Sequence, residues 1–131
     1  MQALGAMTYD KNVAPHGWYI ASYLLRFIEV AEEGNDDPEK RFVTWENTIL
    51  VKARSMNEAY EKALRVAMKE TQPYKGGPDG VDVQWVFEGI TDLLPIYEEL
   101  ADGAEIMWAK HAPRKLRNIR RRARTKDELH Q

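Results

Sequence analysis

The 131-residue sequence contains no cysteine, which excludes a disulfide framework, a thiolate metal centre, an iron–sulfur cluster and a cysteine nucleophile. Histidine is nearly as scarce. His16, His111 and His130 form neither an HxH pair nor an HExxH motif, whereas a metal site needs several ligands converging at short spacing. No metal and no cofactor is therefore expected. Ser22 and Ser55 are the only serines, no G-x-S-x-G elbow is present, and a hydroxyl nucleophile would need an oriented base beside it. The glycine-rich run Gly76-Gly77-Pro78-Asp79-Gly80 lacks the Lys-Ser/Thr of a phosphate loop, and Pro78 removes a backbone donor. No apolar run approaches the ~20 residues that cross a bilayer. The first seven residues show no secretory signal pattern. The string Lys126-Asp127-Glu128-Leu129 resembles a retention signal but is followed by His130-Gln131, and such signals are read at the extreme terminus. The expected compartment is the cytoplasm.

Charge is present in quantity and unevenly placed. Residues 113–131 hold eight basic side chains against Asp127 and Glu128, a net of +6, while the other 112 residues hold 11 basic and 19 acidic groups, a net of −8. A body of that sign repels nucleic acid and anionic membrane, and the tail attracts both. Pro113 marks the junction. The expected organisation is a weakly ordered lead-in over 1–16, one domain over 17–112 and a basic tail over 113–131. One domain of this length can bury a core without staples.

Within the body, Trp18 to Val30 is rich in aromatic and branched residues and reads as a first strand. The stretch 31–41, with Gly34, Asn35 and Pro38 among seven charged residues, reads as a solvated loop. A second strand is expected over 44–53, with Trp45, Asn47, Ile49, Val51 and Ala53 on one face and Glu46, Thr48, Leu50 and Lys52 on the other. Only Leu50 breaks the polar side. Ser55 followed by Glu58 is a capping box. Met56, Ala59, Tyr60, Ala63, Leu64, Ala67 and Met68 then recur at helical spacing. Glu58–Lys62 and Glu61–Arg65 are expected i,i+4 pairs on the wet side. A third strand over 81–90 alternates Val81, Val83, Trp85, Phe87 and Gly89 against Asp82, Gln84, Val86, Glu88 and Ile90. Thr91 to Pro95 reads as turn-rich, and 105–110 as a short fourth strand. The class is α+β: an antiparallel β-β-α-β-β sheet of about four strands with one amphipathic helix on one face. A basic C-terminal tail, helical if Leu116, Ile119 and Ala123 share a side, follows.

Three sets of residues are candidates for function. Glu29, Glu46, Glu88 and Asp92 lie on or near strands, and two carboxylates meeting in a cleft could divide acid and base roles as in a small hydrolase. Acidic side chains on a wet sheet face are the commoner outcome. The four tryptophans, Trp18, Trp45, Trp85 and Trp108, fall in separate expected strands. They form a core under the helix, or else an aromatic anchor for a protein partner. Arg114, Lys115, Arg117, Arg120, Arg121, Arg122 and Arg124 form an arginine-rich segment of the kind that binds phosphate backbones. Such a segment also suits a solvated tail or an acidic partner, including the chain's own body.

Several strings together resemble a bacterial family known as domain of unknown function 4288. They are Trp18-Tyr19-Ile20-Ala21, Trp45 to Ala53, Ser55 to Ala63, Trp85 to Leu93 and Leu100 to Glu105. The resemblance covers about residues 18–108, in the family's order; the acidic loop is longer than the pattern and the basic tail lies outside it. It implies a small α+β bacterial cytoplasmic domain and no reaction. The expected function is a non-enzymatic protein-binding module that uses Trp45, Glu46, Trp85 and Glu88. An immunity-like role against a basic toxin, or a regulatory one, fits an acidic body. The alternatives are nucleic-acid binding through the tail and, less favoured, carboxylate-pair hydrolysis.

Overall fold

The computed structural model describes residues 10–130. Residues 1–9 of the expected lead-in, and Gln131, lie outside the described residues. Among the described residues, four strands form one antiparallel sheet: β1 (Trp18–Glu29), β2 (Thr44–Lys52), β3 (Tyr74–Gly76) and β4 (Val81–Pro95), in the order β2-β1-β4-β3. Helix α1 (Met56–Met68) lies on one face, and a short α2 (Leu116–Arg122) lies in the tail. The α+β class and the β-β-α-β-β order are those read from the sequence.

The long central strand β1 carries Tyr19, Ala21, Tyr23 and Leu25 toward α1, all buried. From β2, Ile49, Val51 and the following Ala53 join them; Ala59, Ala63 and Ala67 close the core from above. Three alanines at four-residue spacing bring the helix axis close to the sheet. The buried stripe is narrower than the periodicity suggests, since Tyr60 and Met68 stay exposed. The Ser55 Oγ accepts the Glu58 N–H at 3.1 Å, the expected half of the capping box. The Glu58 carboxylate reaches back one residue further than expected, accepting the Arg54 N–H at 2.8 Å. That bond, helped by the Arg54 side chain, holds its carboxyl below the ordinary value. The expected Glu58–Lys62 pair does not form as an ion pair: Glu58 pairs with Arg54, and Lys62 donates to the Lys52 carbonyl at 2.6 Å.

Two elements differ from the expectation. The fourth strand is β3, not 105–110. The Gly76–Gly80 run is the hairpin turn between β3 and β4, with Gly77 and Gly80 at φ of 71° and 62°. A Cβ on Gly76 would come within 2.7 Å of the Val83 side chain. Residues 105–110 alternate correctly but stay irregular and exposed and pair with no strand of the sheet. The stretch expected as turn-rich, Thr91 to Pro95, instead continues β4 to 15 residues. It does so through two register shifts against β1: Ser22 faces Asp92 and Tyr23 faces Ile90, then Leu24 faces Gly89 and Leu25 faces Phe87. Thr91 and Glu88 are the extra residues, each a bulge that adds one side chain between paired positions.

The bulges reset the alternation. Beyond Phe87 the residues on the helix side are Ile90 and Leu93, spaced by three, where strict alternation would place Gly89 and Thr91. The body also extends toward the N-terminus beyond residue 17. The buried Tyr19 hydroxyl accepts the Ala14 N–H at 3.1 Å and donates to the Asn12 carbonyl at 3.5 Å. Ala14 is part of the core cluster, so part of the stretch expected as a lead-in is anchored.

Because Ala63 is fully enclosed, Ala63→Leu should destabilise the fold by about 1–3 kcal/mol through overpacking, read as a lowered urea midpoint. Exposed Tyr60→Ala should change it far less.

Candidate functional site

The sheet face away from α1 is polar where β1, β2 and β4 lie side by side. Its β1 residues are Ser22, Leu24 and Arg26; its β2 residues are Thr44, Glu46 and Thr48. The two bulges of β4 add Glu88 and Thr91. Each added side chain makes a cross-strand contact. Glu88 accepts the Arg26 Nε–H at 2.7 Å, and Thr91 donates to Glu46 at 2.5 Å. Since β2 and β4 flank β1, the Thr91–Glu46 bond crosses β1 beside Ser22. Ser22 is only 2% exposed, and its hydroxyl is satisfied by Thr48 Oγ1 at 2.8 Å, as a buried hydroxyl requires.

Arg26 organises the other half of this face. Besides Glu88, its guanidinium donates to the Asn35 carbonyl at 2.7 Å and lies over the Phe42 ring at 4.7 Å. Its side chain is 17% exposed. Asn35 Nδ2 in turn donates to the Glu29 carbonyl at 2.9 Å. Lys40 donates to Glu32 at 2.6 Å and to the Glu33 carbonyl at 3.0 Å. The Lys40 ammonium, bonded to it, holds the Glu32 carboxyl below its ordinary value. The acidic loop is thus tied to the sheet by its polar groups. Between loop and sheet runs an open groove of about 540 Å³, lined by Leu24, Arg26, Asp36, Lys40, Phe42 and Glu88 among others.

On the opposite face, α1 ends at Met68, with Ala67 packed on Tyr23 and Leu25. Past that point the sheet carries an aromatic ledge. Phe27 meets Trp85 edge-on at 5.1 Å between ring centroids, and Trp45 meets Trp85 at 5.5 Å. Trp45 is 59% exposed.

The four residues expected to bind a protein partner are therefore divided. Trp45 and Trp85 form the ledge; Glu46 and Glu88 lie on the polar face, flanking Leu24 of β1. Of the four carboxylates of the hydrolase alternative, Glu46 and Glu88 share that face, Glu88 engaged by Arg26 and Glu46 by Thr91, and Asp92 stands there opposite Ser22. The tryptophans do not gather on one face. Trp18 lies under the Lys52 ammonium at 5.3 Å, and Trp108 is exposed on the irregular stretch after β4. Among the described residues, no group of three or more His, Asp or Glu side chains converges as metal ligands, and no helix is long and apolar enough to cross a membrane.

The tail residues Arg117, Arg120, Arg121 and Arg122 lie on α2 and Lys115 caps it, while Arg114 approaches His111 Nδ1 at 3.1 Å. Arg124 follows the helix. Of the three residues expected on one helix side, Leu116 and Ile119 lie on α2 and are exposed, and Ala123 falls past the helix end in extended backbone. Glu128 is occupied locally, accepting the Thr125 N–H at 2.8 Å, which lowers its carboxyl from the ordinary value. Among the described residues, α2 packs on no strand and not on α1, and no ion pair joins the tail to the acidic body.

Sequence reasoning passed over Arg26, Asn35, Phe42 and Thr91. Arg26 left a signal, as the one basic residue within Trp18–Glu29. Thr91 left none, because a bulge is invisible to an alternation count. Arg26→Met should lower stability by about 1–3 kcal/mol, since it strips a charged group from Glu88 and the Asn35 carbonyl. The Asp37 and Lys40 amides, which bond within the loop, should exchange with solvent faster, while the amides of β1 keep their protection.

A family model described as a domain of unknown function, DUF4288, matches residues 18–108. No curated protein and no solved structure matches the chain. The matched span runs from the first residue of β1 past the end of β4 and takes in the polar face, the acidic loop and the aromatic ledge, leaving the arginine-rich segment outside. By that match this chain belongs to the DUF4288 family.

Proposed function

We propose that this chain is a protein-binding module without catalytic chemistry of its own, anchored on its partner by the ledge of Phe27, Trp85 and Trp45. The observation that carries this reading is the exposed Trp45 ring, held against Trp85 where α1 stops. A tryptophan buries a large apolar area on contact, and one already positioned by a neighbouring ring loses little freedom when bound. The acidic body favours a basic partner through complementary fields. A toxin-neutralising or regulatory role is of that kind. The engaged states of Glu46 and Glu88 favour binding over acid–base chemistry, because each carboxylate already serves the fold.

A second reading rests on the tail. Its basic side chains form no ion pair with the body among the described residues, so they remain available for phosphate groups.

Co-purification from the native host with nuclease treatment separates the two. A stoichiometric protein retained by the intact chain, and weakened at least about tenfold by Trp45→Ala as expected for an anchor residue, supports the first reading. Nucleic acid recovered only without nuclease, falling steeply with salt and lost on deleting 113–131, supports the second. A chain recovered alone under every condition contradicts both.

A further inference from the structure

We propose that two copies of this chain join through the outer edge of β2, their strands antiparallel about a two-fold axis at Ile49. The inference goes beyond the ledge reading, because it uses the backbone of residues 46–52 and Trp45 lies outside the exchanged pairs.

The phase of β2 is fixed at both ends. Val43 accepts from Phe27 N–H, and Ala53 N–H donates to Gly17, each at 2.9 Å. Odd-numbered residues of β2 thus bond to β1, and Thr44, Glu46, Thr48, Leu50 and Lys52 turn their N–H and C=O groups outward. Lys62 reaches the Lys52 carbonyl, which has a second lone pair. No other segment among the described residues pairs with this edge.

The two margins of the sheet are treated differently. On the far side, β3 is three residues long and runs into Gly77-Pro78, and β4 beyond it is broken by two bulges. Short strands, proline and bulges are the means by which proteins protect a sheet edge. β2 has nine residues, no glycine, no proline and no register shift. It is left as a template.

Charge then selects a second copy and one register. With Ile49 on the axis, Glu46 lies opposite Lys52 of the second copy, and the symmetry repeats that pair. Thr48 lies opposite Leu50, the one apolar residue on this face of β2 and 51% exposed. Moving the axis to Thr48 sets Glu46 against Leu50, and moving it to Glu46 sets two glutamates together. Glu46 keeps one carboxylate oxygen for the pair, since Thr91 bonds the other.

Sedimentation of the intact chain over a wide concentration range, with circular dichroism to verify folding, tests this. The chain should reach twice the monomer mass. Leu50→Pro removes an outward N–H that β1 does not use, and should give a folded monomer. Glu46→Lys and Lys52→Glu should each weaken the dimer by about tenfold, from two like-charge contacts, and the double exchange should restore it. The charge exchange decides the matter if Leu50→Pro does not fold. A monomer at every concentration, a dimer that survives folded Leu50→Pro, or a double variant no tighter than the single ones overturns the proposal.

Discussion

Strand β1 has a neighbour along each edge and must satisfy two environments, an apolar one under α1 and a polar one on the open face. The partner strand β4 has to do the same over 15 residues, and a regular strand of its sequence cannot. From Phe87, plain alternation would turn Gly89 and Thr91 toward the helix and Ile90 toward solvent. The two bulges correct this. The first, at Glu88, brings Ile90 under α1; the second, at Thr91, restores the original phase at Leu93. One inserted residue flips every later side chain, and two return them. The hydrophobic requirement of the core thus dictates where β4 departs from regularity.

The polar face follows from the same correction. Each bulge contributes the side chain that the core has no use for, and each is used across β1, Glu88 by Arg26 and Thr91 by Glu46. Arg26 extends the order outward to Asn35 and Phe42, so the acidic loop depends on the first bulge. The small alanine stripe of α1 has a comparable double effect. It lets the helix sit close over Tyr19, Ala21 and Tyr23, and by ending at Met68 it leaves Phe27, Trp85 and Trp45 as a ledge.

What could be read in the sequence was what periodicity and local chemistry determine. The first two strands, the helix and its Ser55 cap, and the topological class were legible because each repeats a pattern several times or uses a capping residue with few alternative roles. The hairpin β3 was not, because Tyr74-Lys75-Gly76 is too short to show a period. Residues 105–110 showed a period but join no ladder of the sheet, and alternation alone does not supply a partner strand. Trp45 and Trp85 were rightly placed on one face of their strands. That Glu46 and Glu88 would lie on the other was legible for both, since Glu46 alternates with Trp45 and Glu88 with Trp85 and Phe87. Glu88 and Thr91 could not be seen as bulge residues, since their positions are set by what lies opposite them on β1.

The dependence of both faces on the bulges is tested most directly by the stability of a chain lacking Thr91, compared by urea unfolding with one lacking Thr48 of the regular strand β2. Removing a bulge residue leaves Ile90 and Leu93 under the helix and sacrifices the bond to Glu46, so the Thr91 deletion should unfold cooperatively with a loss of about 1–3 kcal/mol. Removing Thr48 turns one end of β2 onto the wrong face and should abolish folding. A Thr91 deletion as damaging as the Thr48 deletion would contradict the account.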